Sequence, residues 1–98
     1  MGVELLKLEQ SPNPEKKLRA TFKTDSGREK HTDFGARGMD DYTLTRSKEQ
    51  RDRYRSRHEK DLRTDDVTKA GYLSYYILWG PTTSRQENLR LYKKRFNL

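Results

Sequence analysis

The chain has 98 residues, of which 38% are charged and 30% hydrophobic, and a formal net charge of +7. Leu, Ile, Val and Phe together supply only 17 residues, a share below the ~20% with which chains usually build a large core. This predicts one small domain over residues 1–98 and argues against an enzyme-type domain with a deep apolar pocket. There is no cysteine, which removes disulfides, thiolate zinc sites and cysteine nucleophiles. No apolar run approaches the ~18 residues of a membrane span, so neither membrane insertion nor a secretory leader is expected.

The positive charge is uneven. Residues 1–34 hold seven basic and six acidic side chains, and residues 35–66 hold nine and eight. Residues 67–98 hold six basic side chains and one acid, Glu87. A basic excess concentrated at one end points to an acidic or polyanionic partner, or else serves solubility alone.

Val3 to Leu8 reads as a first strand, weakly alternating. Ser11-Pro12-Asn13-Pro14 breaks it, because proline fixes φ and removes a donor. Leu18 to Lys23 alternates apolar and polar residues as a half-buried strand does. After the turn signal Asp25-Ser26-Gly27, Lys30 to Phe34 reads as a third strand, with His31 and Asp33 on one face and Thr32 and Phe34 on the other. Gly35-Ala36-Arg37-Gly38 then ends the sheet as a connector. A phosphate-cradling nest there lacks the lysine of a P-loop.

Ser47-Lys48-Glu49-Gln50 has capping-box spacing and opens a helix to about Asp61, with Tyr54, His58 and Leu62 as a narrow apolar stripe. Thr68 is expected to cap the next helix, Ala70 to Trp79, the one strongly hydrophobic segment. At helical pitch Tyr72, Tyr75, Tyr76 and Trp79 share one face, and Leu73 and Ile77 another, so this helix belongs at the centre of the domain. Gly80-Pro81 breaks it. Ser84-Arg85-Gln86-Glu87 is a second capping box, opening a last helix from Arg85 to Phe96 with Leu89, Tyr92 and Phe96 inward and Arg90, Lys93 and Lys94 outward. The predicted fold is α+β: a three-stranded antiparallel meander (1–35) followed by three helices (36–98).

No catalytic residues, metal site or cofactor are assigned. The pairs Asp40-Asp41 and Asp65-Asp66 stand where caps and turns are expected, and adjacent carboxylates rarely converge on one substrate atom. His31, Asp33 and His58 make a weak metal signal without thiols. The Tyr72–Trp79 aromatics can stack bases, but a chain this poor in apolar residues needs them for its core. Arg51 and Arg55, and Arg53 and Arg57, form like-charge i, i+4 pairs that an anionic partner would offset. Arg51, Arg55, Arg90, Lys93, Lys94 and Arg95 are therefore the candidate partner-binding residues.

Several stretches together resemble one family: His31-Thr32-Asp33-Phe34-Gly35-Ala36-Arg37-Gly38, Asp41-Tyr42-Thr43, Arg53-Tyr54 through Arg57-His58, Ala70-Gly71-Tyr72-Leu73-Ser74 with Ile77-Leu78-Trp79, and Tyr92-Lys93-Lys94-Arg95-Phe96. They are similar to a family of short basic proteins encoded by large double-stranded DNA viruses of algae and protists. The chain departs from that pattern in two connectors, at Leu44-Thr45-Arg46-Ser47 and at Gly80-Pro81. The resemblance implies no enzymatic activity. It implies a virion component, made in the host cytoplasm and resident in the capsid shell. The expected function is that of a minor capsid or cement protein contacting the major capsid protein and other minor capsid proteins. The alternative is a basic nucleic-acid-binding protein that neutralises packaged genome.

Overall fold

The structure, a computed structural model, describes residues 2–98. Strands β1 (Glu4–Gln10), β2 (Lys16–Lys23) and β3 (Glu29–Ala36) form an antiparallel sheet in the order β1-β2-β3. Strand β1 starts at Glu4 rather than Val3 and runs on past Leu8, β2 starts before Leu18, and β3 extends past both predicted ends. The weak alternation of β1 has a physical cause. Leu5 and Leu8 have opposite parity, yet Leu5 pairs with Phe22 and Leu8 with Ala20, because the register shifts between Leu5 and Lys7. This bulge turns both leucines toward the helices and leaves Leu6 exposed. The opposite sheet face is polar, with Arg19 pairing bidentately with Asp33 (2.8 and 3.1 Å) and Thr21 bonding His31 at 3.0 Å.

The connectors are locked by side chains. The Ser11 hydroxyl accepts from the Asn13 amide and the Asn13 side chain from the Glu15 amide, a pair of local turns between the prolines. Arg37, in the expected connector, donates to the carbonyls of Ser11 and Lys16 and so ties the β3 exit to the β1–β2 turn. Gly35 has φ +79°, and a Cβ there would stand 2.6 Å from the Leu78 side chain. Both facts require glycine where the sheet meets the helices.

A one-turn helix, α1 (Tyr42–Thr45), precedes the three expected ones. Helix α2 (Lys48–His58) ends earlier than predicted and continues as a 3₁₀ segment, Glu59–Thr64. Helix α3 (Ala70–Leu73) passes directly into a π-helical turn, Ser74–Leu78, in which the Trp79 amide donates to the Ser74 carbonyl at 2.9 Å. Helix α4 (Arg85–Phe96) has its predicted bounds.

Both capping boxes are half made, for the same reason. Ser47 and Ser84 accept from the Gln50 and Glu87 amides, each at 3.2 Å. The return bonds are absent, because a threonine two residues earlier takes each cap amide: Thr45 for Ser47 and Thr82 for Ser84. Gln50 bonds the Thr45 hydroxyl instead, and Glu87 pairs with Arg90. Thr68 is no cap; Lys69 stands at that position without a side-chain bond. The Thr68 hydroxyl donates to Asp66 and accepts from Lys30, and its carbonyl accepts from Thr32, so it joins β3 to the helical layer.

The core lies between the inner sheet face (Leu5, Ala20, Phe22, Phe34) and the α3–π segment (Tyr72, Leu73, Ile77, Leu78, Trp79), with Tyr42 and Tyr92 at its ends. The four aromatics of that segment do not share one face, because the π turn resets the helical phase after Leu73. Tyr72 and Tyr76 pack on α4, with centroids 5.8 and 5.3 Å from Phe96. Trp79 instead stacks on Tyr54 at 4.4 Å, and Tyr54 on His58 at 4.1 Å. That stack is the seam holding α2, a helix with no fully buried residue.

Candidate contact surface

Two buried polar residues position the elements that carry the predicted site. Asp41, fully out of solvent, caps α1 through the Thr43 amide at 2.9 Å. Its other oxygen accepts from Lys17 of β2 at 2.6 Å and from Arg85 of α4 at 3.2 Å. Burial alone would push this carboxyl up. The Lys17 and Thr43 hydrogen bonds and the charges of Lys17 and Arg85 outweigh it, and the group lies below the usual carboxylate range. Asn88 of α4, 1% exposed, donates to the carbonyls of Ile77 (2.9 Å) and Thr82 (2.8 Å) and accepts from the Thr82 hydroxyl.

Asn88 and Arg55 together serve the carbonyls left free where the π turn ends. One Arg55 nitrogen donates to Tyr75 at 3.3 Å and to Trp79 at 2.7 Å, and its guanidinium lies 4.1 Å from the Tyr75 ring centroid. Arg55 thus has a built-in structural role that the i, i+4 charge pattern did not reveal. Arg51 likewise turns inward, over Tyr42 at 4.8 Å. Each half of the like-charge pair is offset by an aromatic face and, for Arg55, by helix-end carbonyls. On the outside of α2, Arg53 and Arg57 stay exposed among Glu49, Asp52 and Glu59.

Three of the six predicted residues converge. Arg55, Lys94 and Arg95 border a groove of 610 Å³ between α2 and α4, with Tyr76, Leu91 and Tyr92 among its walls. No carboxylate lines it. Arg95 covers Tyr76 at 5.4 Å and Lys94 is exposed. Arg90 stands outside the groove and is engaged by Glu87, whose carboxyl it holds below the ordinary range. Lys93 lies in the same last turn, where cations also complement the helix dipole.

A second cleft, of 570 Å³, separates the end of β3 from α2 and α3 and is bordered by Lys16, Arg57, His58 and Asp61. His58 bonds Asp61 there at 3.1 Å. His31 and Asp33 lie apart from it on the outer sheet face, paired with Thr21 and Arg19, so the three residues of the weak metal signal are not brought together. Among the described residues no group of three or more His, Asp or Glu side chains is placed to hold a metal ion. No described helix is long and apolar enough to cross a membrane.

Asp41 and Asn88 are the polar residues whose importance the sequence concealed. Asp41-Tyr42-Thr43 carries a visible cap signal, but the partners Lys17 and Arg85 lie 24 and 44 residues away. Asn88 gives no local signal at all.

No curated protein and no solved structure matches the chain. Residues 6–58, from β1 through α2, match a family of unknown function, DUF5754; since that stretch is more than half of its length, the chain belongs to this family.

Proposed function

We propose that this protein is a structural component of the particle of a large DNA virus, a minor capsid or cement protein that joins shell subunits through protein–protein contacts. Its setting would be the capsid shell, after synthesis in the host cytoplasm, with the major capsid protein and other minor capsid proteins as neighbours. The viral setting rests on the resemblance of the quoted motifs to proteins of large DNA viruses. The contact role rests on α4. This helix is anchored on its inner side by Asn88 and Tyr92 and carries Arg90, Lys93, Lys94 and Arg95 against a single acid, Glu87. A rigid helix presenting cations suits an acidic protein surface.

The nucleic-acid alternative draws less support. Of the arginines of α2, Arg51 and Arg55 lie against tyrosine faces, and the exposed Arg53 and Arg57 stand among the acids Glu49, Asp52 and Glu59. The test is co-sedimentation with purified shells from low to high salt, together with the position of the protein in intact particles. Lys93→Glu with Lys94→Glu is expected to leave the fold intact and abolish shell association. A doubly reversed protein that still joins the shell, or a wild-type protein found within the genome, would overturn the reading.

A further inference from the structure

We infer that the groove between α2 and α4 is a docking site for a short acidic peptide segment with an apolar side chain at its centre. The inference deepens the proposed contact role and rests on α4 being the contact element; it does not depend on the viral setting. Two features select this occupant. The rim carries Lys94 and Arg95, the braced Arg55 adds a third positive charge at the wall, and no lining carboxylate neutralises them. Between them Leu91 and the half-buried Tyr76 offer apolar surface over the buried Tyr92, and Leu91 takes no part in the described core. A segment with acids at both ends of an apolar residue meets both features at once. Desolvated charge pairing with an apolar anchor is the pattern of small interaction hot spots.

The geometry disfavours a nucleic-acid strand here. Base stacking needs an open aromatic face. The Tyr76 ring is overlain by Arg95 and flanked by Arg55, with guanidinium-to-centroid distances of 5.4 and 5.9 Å. Tyr92 is 1% exposed, and its edges and faces are taken by Tyr76 and Phe96 at 5.5 and 5.0 Å. Neither ring presents a free platform.

The test titrates the full-length protein with three labelled probes at physiological salt. The first is a ten-residue peptide of glutamates flanking two central leucines, the second the same peptide with serines for the leucines, and the third a single-stranded oligonucleotide of mixed sequence. Binding is followed by fluorescence anisotropy and by NMR shifts of the Leu91 methyls. The leucine peptide is expected to bind at least about tenfold more tightly than the serine peptide, which corresponds to one well-buried apolar anchor. Leu91→Ser should remove that difference, and Lys94→Glu should weaken both peptides. Lys94 has an exposed side chain, so the second variant tests the rim without disturbing the core; thermal melts confirm the folding of each. Equal binding of the two peptides, tighter binding of the oligonucleotide, or shifts that avoid Leu91 would each overturn the inference. Failure of these probes with shell co-sedimentation intact removes the groove and keeps the contact role. Failure of co-sedimentation with peptide binding intact does the reverse.

Discussion

Asp41 and Lys17 meet at 2.6 Å with 1% and 10% of their side chains exposed, and this ion pair joins the start of α1 to the central strand. Arg85 brings the first turn of α4 to the same carboxylate. Removing one member of such a buried group leaves the other charge uncompensated, which typically costs about 3–5 kcal/mol. Asp41→Asn keeps the shape and deletes the charge, so it is expected to destabilise by that amount at neutral pH.

The same carboxylate gives an acid signature. Its folded pKa is lowered, so its contribution is fully present above the unfolded value, about 3.9, and is lost as pH falls through the lower folded value. Asp33, held down by Arg19, and Asp66, held down by Thr68, act in the same direction from more exposed positions. Urea midpoints measured from neutral pH downward should fall steeply below about pH 4 for the wild type and less steeply for Asp41→Asn. Parallel acid limbs would show that Asp41 is not the group responsible.

The Tyr54–Trp79 stack makes a second prediction. Trp79 is 7% exposed and forms the main contact between α2 and the core. Trp79→Ala should cost about 3–5 kcal/mol, against a total of about 5 kcal/mol for a domain at the low end of the usual range. Most of the near-native signal should vanish in circular dichroism, with α2 amides losing hydrogen-exchange protection first. A wild-type melting curve would contradict the packing described.

Gly80 tests the π turn. A Cβ at this position would lie 2.1 Å from the Tyr76 carbonyl oxygen and 3.0 Å from the Asn88 side chain. Backbone cannot yield that far without breaking the Asn88 bonds. Gly80→Ala should therefore destabilise by roughly 1–3 kcal/mol or more, and Gly38→Ala, where a Cβ meets nothing within 4 Å, should cost only its positive-φ strain. Equal loss at the two sites in thermal melts would refute the close approach.

Binding of duplex DNA to the isolated protein should be weak and indifferent to sequence. With Arg51 and Arg55 turned inward, α2 and the segment after it offer Lys48, Arg53, Arg57, Lys60 and Arg63 to phosphates. Five phosphate contacts give a slope of log affinity against log salt of about −4.5 at most. A slope much steeper than this in filter binding would mean that the α4 cations also reach DNA.

The strand–strand–strand, helix–helix–helix order was legible in the sequence because its signals are local. Proline and glycine breaks, two serine caps and the dense aromatic segment 72–79 each act within a few residues, and the bounds of α4 followed from them. The β1 bulge was less visible, since opposite parity of Leu5 and Leu8 becomes meaningful only against Ala20 and Phe22. The cations of the contact surface were legible by charge, but not their division of labour. Arg55 became a brace for the π turn, Arg90 a partner of Glu87, and Lys94 and Arg95 the rim of a groove. The π turn itself, Asn88 beneath it and the Asp41–Lys17–Arg85 group were decided by tertiary structure alone. Each depends on groups far apart in the chain finding one another out of water, where an unpaired carbonyl or carboxylate is costly, and spacing along a sequence carries no record of that.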